Sequence, residues 1–447
     1  MMYIRGNPTD YNNWADQGND GWTWDEVEPF FIKAEDNGEI ERVGRKHHGT
    51  GGPISVESFP YVPSFGFSIL KAAEEAGYNV SNDLNGEQFT GFAIAQTTSK
   101  NGVRRSSASA YLRPVRNRKN LHISLKSHAT RVIIEDDKAV GVEYYQLKTV
   151  RASREVVLSA GAIMSPQILL LSGIGPKEHL ESVGVTLVKD LPGVGENLHD
   201  HISFSLDFTI NELDTYDNDW EAAIQYLKNQ TGPLSSNGLA QVMGTLKTKA
   251  ASPDYPDLQL YFNGYNAVCA PGEIGALQSS GKRTVKIRTV NLHPKSKGRI
   301  SLASNDALEN PVIWFNYLND PKDVDGLVQA IELGLAMADT QAMKNHGFTL
   351  STIPIEVCSN YTFPSTEYWH CAVRQNAEPE LHQAGSCKMG PSSDPMAVVD
   401  HQLRVYGIKG LRIADNSIMP QVTSGNAGGP AMMIGERAAD FIKKELA

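Results

Sequence analysis

Histidine is the side chain whose ordinary pKa lies nearest neutral pH, so the chain's 12 histidines are the first candidates for proton transfer. His47 and His48 open the loop His47-His48-Gly49-Thr50-Gly51-Gly52-Pro53, whose glycines and proline predict a solvated turn. His199-Asp200-His201 brackets a carboxylate with two imidazoles, types that suit a metal, but the trio is expected to be an ordinary loop rather than a metal site. His382 begins His382-Gln383-Ala384-Gly385-Ser386-Cys387-Lys388-Met389-Gly390, and a histidine met alone is more often a buried structural residue than a base. In Ser424-Gly425-Asn426-Ala427-Gly428-Gly429 a serine and a carboxamide stand among glycines. No GxSxG elbow surrounds that serine, which argues against a hydrolase.

Phosphate-cradling glycines are absent where a dinucleotide fingerprint needs them. Gly173-Ile174-Gly175 has Glu178 in the place of the third glycine, and Gly193-Val194-Gly195 has Leu198. Of the 4 cysteines, Cys269, Cys358, Cys371 and Cys387, none forms a CxxC pair, so a zinc site is not expected. Cys358 and Cys371 bracket a polar loop and are either a local disulfide or two free thiols. Glycosylation triplets stand at Asn79-Val80-Ser81, Asn229-Gln230-Thr231 and Asn360-Tyr361-Thr362. With the cysteine pair they tilt the compartment, otherwise open, toward secretion.

A chain of 447 residues that is 40% apolar and 21% charged buries a sizeable core, in more than one domain. Its net charge of -10 repels phosphate backbones and anionic surfaces, so nucleic acid is not an expected partner. No apolar run approaches the roughly 18 residues of a membrane span. The opening Met1-Met2-Tyr3-Ile4-Arg5-Gly6-Asn7-Pro8 lacks a signal-peptide plan.

Hydrophobic spacing supplies the elements that position these residues. Trp22–Glu35 reads as a helix with Val27, Phe30, Phe31 and Ala34 on one face, and Asp323–Ala338 as another with Val324, Leu327, Val328, Ile331 and Leu335. His122–Leu125 and Thr130–Ile134 are strand-like, and Val140–Tyr145 returns from the latter through the turn at Asp136-Asp137. Glu155–Ser159 is an apolar strand running into Gly161, with a helix predicted to open at Ser165-Pro166. Leu258–Phe262 and Val285–Thr289 are further strands, and Gly410–Ile413 leads to a closing helix over Ala431–Lys444.

Several blocks in register resemble the glucose–methanol–choline oxidoreductases. These are Met2-Tyr3-Ile4-Arg5-Gly6-Asn7, Gly161 to Gly175, Gly193 to His201, the His382 block, Asp415-Asn416-Ser417-Ile418-Met419-Pro420 with Ser424-Gly425-Asn426, and Met432 to Asp440. The branch most similar is the insect glucose-dehydrogenase-like one. The resemblance implies an α/β fold: a Rossmann-like FAD/NAD(P)-binding parallel sheet whose first βαβ unit is missing, with an inserted α+β substrate domain built on an antiparallel sheet. The expected division is 1–99 as flavin-attachment region and part of the substrate domain, 100–201 and 391–447 as FAD-binding segments, and 202–390 as the substrate domain.

The implied activity is FAD-dependent oxidation of an alcohol, with flavin taking the hydride and the protein supplying the base. By resemblance His382 is that base and Asn426 hydrogen-bonds the substrate oxygen. Asn101, Val132, Asn197, Asp415, Asn416, Gly425 and Ala427 match cofactor-contacting positions, while loop and turn chemistry explains Asn197 and Asp415 equally well. No metal is implied. The substrate, whether sugar, steroid, choline-like or simple alcohol, stays open, as does an acceptor of oxygen or quinone.

Relatives open with a strand, GxGxxG and helix; this chain starts at a motif that lies further inside them. The expectation is weak FAD binding and marginal stability, through a truncated reading frame. The rival expectation is a non-catalytic relic that keeps the substrate domain. Glycines 428 and 429 stand where relatives carry other residues, and are expected to loosen the loop that aims Asn426.

Overall fold

The computed structural model describes residues 1–145, 148–213, 219–248, 251, 255–265 and 282–446. Helices α1 (Pro8–Asp16) and α2 (Trp24–Ala34) lie near the amino terminus. Thr23 precedes α2 and donates from both its backbone N–H and its hydroxyl to Glu26, holding the first turn. Seven strands frame the site: β1 (Gly91–Ile94), β2 (Val156–Leu158), β3 (Ile202–Leu213), β4 (Val242–Leu246), β5 (Leu258–Gly264), β6 (Lys282–Asn291) and β7 (Leu411–Ile413). The remaining long helices are α3 (Gly161–Leu171), α4 (Pro321–Ala338) and α5 (Gly428–Leu446).

Strands β3, β6, β5, β4 and β1 form, in that spatial order, a fully antiparallel sheet, extended beside β3 by the short pieces Thr349–Leu350 and Glu378–Pro379. One face carries Phe204, Leu206, Phe208, Leu260, Phe262, Val285 and Ile287, and is covered by Leu327, Val328 and Ile331 of α4. Helix α4 follows the predicted spacing but starts at Pro321, where Asp320 caps it by accepting from the Lys322 N–H.

Strands β2 and β7 pair in parallel, Leu411 with Val156 and Ile413 with Leu158, and β2 feeds α3. On its other edge β7 is bridged in antiparallel sense by Arg404, opposite Arg412. A second core surrounds this pair and joins Leu169, Leu170, Ile413 and Met433 to Tyr11, Trp14, Trp22 and Phe31. The hairpin Ala129–Glu135/Lys138–Tyr144 turns as expected at Asp136-Asp137, both at positive φ, 49° and 57°.

Several expectations are corrected. His122–Leu125 is not a strand, because no neighbour among the described residues offers it a ladder. Helix α3 opens at Gly161 rather than Ser165, since Gly161 takes φ +82° and its N–H is held by Asp415. Helix α5 likewise opens at Gly428 rather than Ala431. Instead of loosening the loop, Gly429 lets the helix lie against the Ile4 carbonyl, 2.4 Å from where a Cβ would sit.

Of the loop expected to be solvated, Thr50, Gly51 and Pro53 are exposed, but His48 is buried. A Cβ at Gly49 would lie 2.0 Å from the Ile32 carbonyl oxygen, so glycine there lets the loop press against α2. His48 is buried between Glu35 and Asp83, at 3.1 Å from each, and Glu35 also receives the buried guanidinium of Arg5 at 2.6 Å. Cys358 and Cys371 are disulfide-bonded, Cys387 is a buried thiol, and Cys269 lies outside the described residues.

Candidate active site

Three loops meet at the ends of the two cores. The loop 197–201 leads straight into β3, the loop 380–390 follows the strand Glu378–Pro379, and the loop 420–427 runs into α5. The first two are zipped together: His199 and Ala384 exchange both backbone hydrogen bonds, and the Glu380 N–H donates to the His201 carbonyl. Beyond Ala384, the N–H groups of Gly385, Cys387 and Met389 donate in turn to the carbonyls of Asn416, Ser417 and Ile418. Gly385 is required there, because a Cβ would meet the His199 ring at 2.4 Å and the backbone sits at φ +87°. The third loop is tied to α1, where the buried Asp10 carboxylate receives the Ser424 N–H at 2.7 Å and its hydroxyl at 2.8 Å.

This framework brings His382 and Asn426 together, with Nε2 of the imidazole 3.1 Å from Nδ2 of the carboxamide. Both residues keep part of their surface open. On the other side of the ring, Nδ1 of His382 lies 3.0 Å from Nδ1 of His201. Asp200 holds the His382 backbone N–H at 2.7 Å and receives the Gln383 side chain at 3.2 Å and the Tyr317 hydroxyl at 3.2 Å. Burial lowers the His382 pKa to about 4, only partly opposed by the charge of Glu380. Burial also pushes the Asp200 carboxyl up to about 6 and holds His201 well below the usual histidine range.

The proton positions follow from these contacts. His199 accepts from the Val422 N–H at Nε2, so its proton sits on Nδ1 and is donated to the Asn197 carbonyl at 2.6 Å. With both nitrogens engaged, His199 is not a metal ligand, and the trio with Asp200 and His201 serves hydrogen bonding. His382, accepting from Asn426 at Nε2, carries its proton on Nδ1 and donates it to His201. His201 then holds its own proton on Nε2, a buried atom without a partner. Sequence reasoning weighed His201 as a metal ligand and missed its contact with His382; the Asp-His pair ahead of a strand was the available signal.

The other expected cofactor positions are placed as follows. Asn197, at φ +60°, donates Nδ2 to the carbonyls of Gly385 at 3.2 Å and Pro420 at 3.3 Å, behind the His382 loop. Asp415 is occupied structurally, receiving the N–H groups of Gly161 and Ser417 and the Ser165 hydroxyl. Asn416 follows it with a buried, unpartnered Oδ1. Gly425 and Ala427 flank Asn426, Gly425 at φ +120° and Ala427 buried. Asn101 lies apart, in a surface turn at φ +52° whose N–H donates to Glu57. Val132 lies in the hairpin, its N–H donated to the Ser172 hydroxyl at 2.8 Å.

The surroundings of His382 and Asn426 fit a flat, hydrogen-bonding ring. Asn426 Oδ1, Asn416 Oδ1 and His201 Nε2 are all buried without partners. Helix α5 begins two residues after Asn426, so its positive amino end points at the same region.

GMC oxidoreductase domain profiles match residues 1–203 and 294–435. Glucose dehydrogenase [FAD, quinone] of Drosophila melanogaster is 49% identical over 99% of this chain and 72% of its own length. The oxygen-dependent choline dehydrogenase of Rhizobium meliloti is 34% identical over 99% of this chain and 79% of its own. Among solved structures, pyridoxine 4-oxidase from Mesorbium loti superposes with a TM-score of 0.83 at 25% identity, covering 99% of this chain and 82% of that one. An FAD-dependent oxidoreductase from Chaetomium thermophilum does so at 0.87, covering 100% and 84%, and at 23% identity it speaks for the fold alone. The chain belongs to the GMC oxidoreductase family.

Proposed function

We propose that this protein oxidises a CH–OH donor with FAD, His382 removing the hydroxyl proton and Asn426 holding the substrate oxygen. The observation that carries this reading is the 3.1 Å contact between His382 Nε2 and Asn426 Nδ2, across 44 residues of chain. FAD supplies the hydride acceptor for the carbon-bound hydrogen. The amino end of α5 and the carboxamide of Asn416 would hold its ring.

The protein's part begins with a neutral His382. Burial keeps the ring uncharged at neutral pH, so its Nε2 lone pair is available to an incoming hydroxyl. Substrate displaces the Asn426 N–H from that lone pair, and the carboxamide turns its donor to the substrate oxygen. Taking the proton makes His382 an imidazolium in surroundings that oppose charge. Its Nδ1–H points at the His201 lone pair 3.0 Å away, which stabilises the new charge. His201 is thus a positioning residue that fixes the His382 tautomer.

A quinone is the proposed electron acceptor, in keeping with the name of the 49% identical relative. The test is a His382→Ala variant compared with the parent protein, both equilibrated with excess FAD. It should bind flavin as the parent does, read by the flavin absorbance spectrum, and lose most turnover of an alcohol with a soluble quinone. Turnover within a few-fold of the parent protein removes His382 from this role.

A further inference from the structure

We propose that Asn360 is the attachment site of an N-linked oligosaccharide, and that this glycan covers an apolar surface patch formed by Ile353, Val357 and Tyr361. The acceptor triplets at Asn79, Asn229 and Asn360 have no part in the proposed reaction. All three asparagines are exposed, but the rest of each triplet differs. Ser81 is half-buried, with its hydroxyl donated to the Asp83 carbonyl at 2.6 Å, and Thr231 is half-buried beside Gln230 at φ +55°. Asn360, Tyr361 and Thr362 are exposed throughout.

The fold presents Asn360 on a braced turn. The short helical turn Glu356–Cys358 continues through Ser359 in helical backbone, and the Tyr361 N–H closes it on the Cys358 carbonyl at 3.0 Å. Cys358 is fully buried and disulfide-bonded to Cys371 of the helix Thr366–Asn376, which anchors the turn to the core and leaves its outer side to solvent. The same disulfide speaks for the compartment. Such bonds persist in oxidising surroundings, the secretory route among them, and N-linked glycans are added on that route.

Around Asn360 the surface is apolar. Ile353 is 84% exposed, Val357 65% and Tyr361 48%. Residues three apart eclipse in a turn of this tightness, so Val357 and Asn360 lie on one side, with Tyr361 the next residue along. Apolar side chains gathered at one place on a surface mark something that covers them. A sugar chain rooted at Asn360 suits this patch, because pyranose rings lay their C–H faces on apolar groups and keep their hydroxyls in water. Covering apolar area stabilises by about 25 cal/mol per Å².

Attachment is a glycosyl transfer with no change of oxidation state. Nδ2 of Asn360 forms a bond to the anomeric carbon of a lipid-pyrophosphate-linked oligosaccharide, the donor on the secretory route. The bond from that carbon to the pyrophosphate oxygen breaks, and the lipid pyrophosphate leaves with the electron pair. Nδ2 gives up one proton to the transferring enzyme. The Thr362 hydroxyl, two residues on, completes the acceptor triplet.

The experiment first maps the protein isolated from its source organism. Its peptides are treated with peptide N-glycosidase in heavy-oxygen water, which turns each glycan-bearing asparagine into a labelled aspartate, and are read by mass spectrometry. Label at Asn360, alone or together with Asn79 or Asn229, is the expected result. Asn360 recovered as unlabelled asparagine overturns the assignment, whatever the other two carry. The covering role is read on Thr362→Ala, which removes the acceptor hydroxyl, and Thr362→Ser, which keeps it, both secreted from eukaryotic cells with near-UV circular dichroism confirming the fold. Binding of the apolar dye ANS should rise severalfold in Thr362→Ala and stay at the parent level in Thr362→Ser. It should return to that level when Val357→Ser and Tyr361→Ser are added to Thr362→Ala. A Thr362→Ala protein that binds no more dye than the parent, or dye binding that stays high after those two serines are added, overturns the cover.

Discussion

The Nδ1 atoms of His201 and His382 lie 3.0 Å apart, although 181 residues separate them in sequence. One of the two must carry a proton and the other a lone pair. Because Asn426 donates to the far nitrogen of His382, the shared proton belongs to His382. Replacing His201 by Leu removes the acceptor and frees the His382 tautomer, so kcat should fall about tenfold or more. His201→Gln, whose carboxamide oxygen can accept the same proton, should recover part of the loss. Nitrogen-15 NMR of His382 reads the tautomer directly in the resting protein. A wild-type spectrum with the proton on Nε2, or a Leu variant with unchanged kcat, removes His201 from this role.

Acid should affect this protein in two separable ways. His382 titrates near 4 in the folded state, below the ordinary histidine value of 6.5, so it stays a competent base down to about pH 4. The acid limb of kcat/KM should therefore fall near pH 4 to 5; a limb centred near 6.5 contradicts the burial account. Stability follows by linkage. Below 6.5 the unfolded chain takes up a proton that the folded ring refuses, so this group's contribution is lost as pH falls from 6.5 through 4. Asp200 has the opposite sign. Its folded pKa of about 6 exceeds the ordinary 3.8, so its contribution is present at low pH and fades as pH rises through 6. An Asp200→Asn variant should thus flatten the stability loss on the alkaline side, as urea titrations across pH 4 to 7 will show.

Much of the site was legible in sequence because it is carried by short blocks whose glycines have local jobs. The His382 block and the Asn426 loop could be read as partners, and the structure brings them within 3.1 Å. Helix α4 was legible because its apolar spacing is strict over several turns. What escaped reading depends on partners distant in sequence. His48 sits in a glycine-rich loop that looks solvated, and it is the distant Glu35 and Asp83, with Gly49 packed on Ile32, that enclose it. His122–Leu125 has strand composition, but a strand is defined by its neighbour. Gly428 and Gly429 look like a flexible loop until the Ile4 carbonyl is seen against them.

The buried pair Arg5–Glu35 makes the amino-terminal segment a stability determinant. Both side chains are fully buried at 2.6 Å, with Asn37 and the Gly49 N–H also donating to Glu35. Removing one partner leaves an uncompensated buried charge, and Glu35→Ala should cost about 3–5 kcal/mol. Denaturant unfolding measures this. A loss below about 1 kcal/mol would mean that the guanidinium finds water or a new acceptor once the carboxylate is gone.

Gly425 tests whether the aim of Asn426, rather than its mere presence, matters. Its φ of +120° disfavours any side chain, and an added methyl would lie 2.7 Å from Cγ2 of Ile4. Ile4 is itself buried, and the Ser424 side of the loop is clamped to Asp10, so the strain has to be relieved at Asn426. Gly425→Ala should therefore shift the carboxamide away from His382 and lower kcat/KM by roughly tenfold to a hundredfold, as misplaced catalytic groups do. Its denaturation midpoint should fall modestly, by the equivalent of about 1–3 kcal/mol. Asn426→Ala keeps the backbone and removes the donor, so the two variants should lose comparable rate while only Gly425→Ala loses stability. A Gly425→Ala protein with full rate would show that the loop relaxes toward Ile4, and that the carboxamide is held by contacts other than its own backbone.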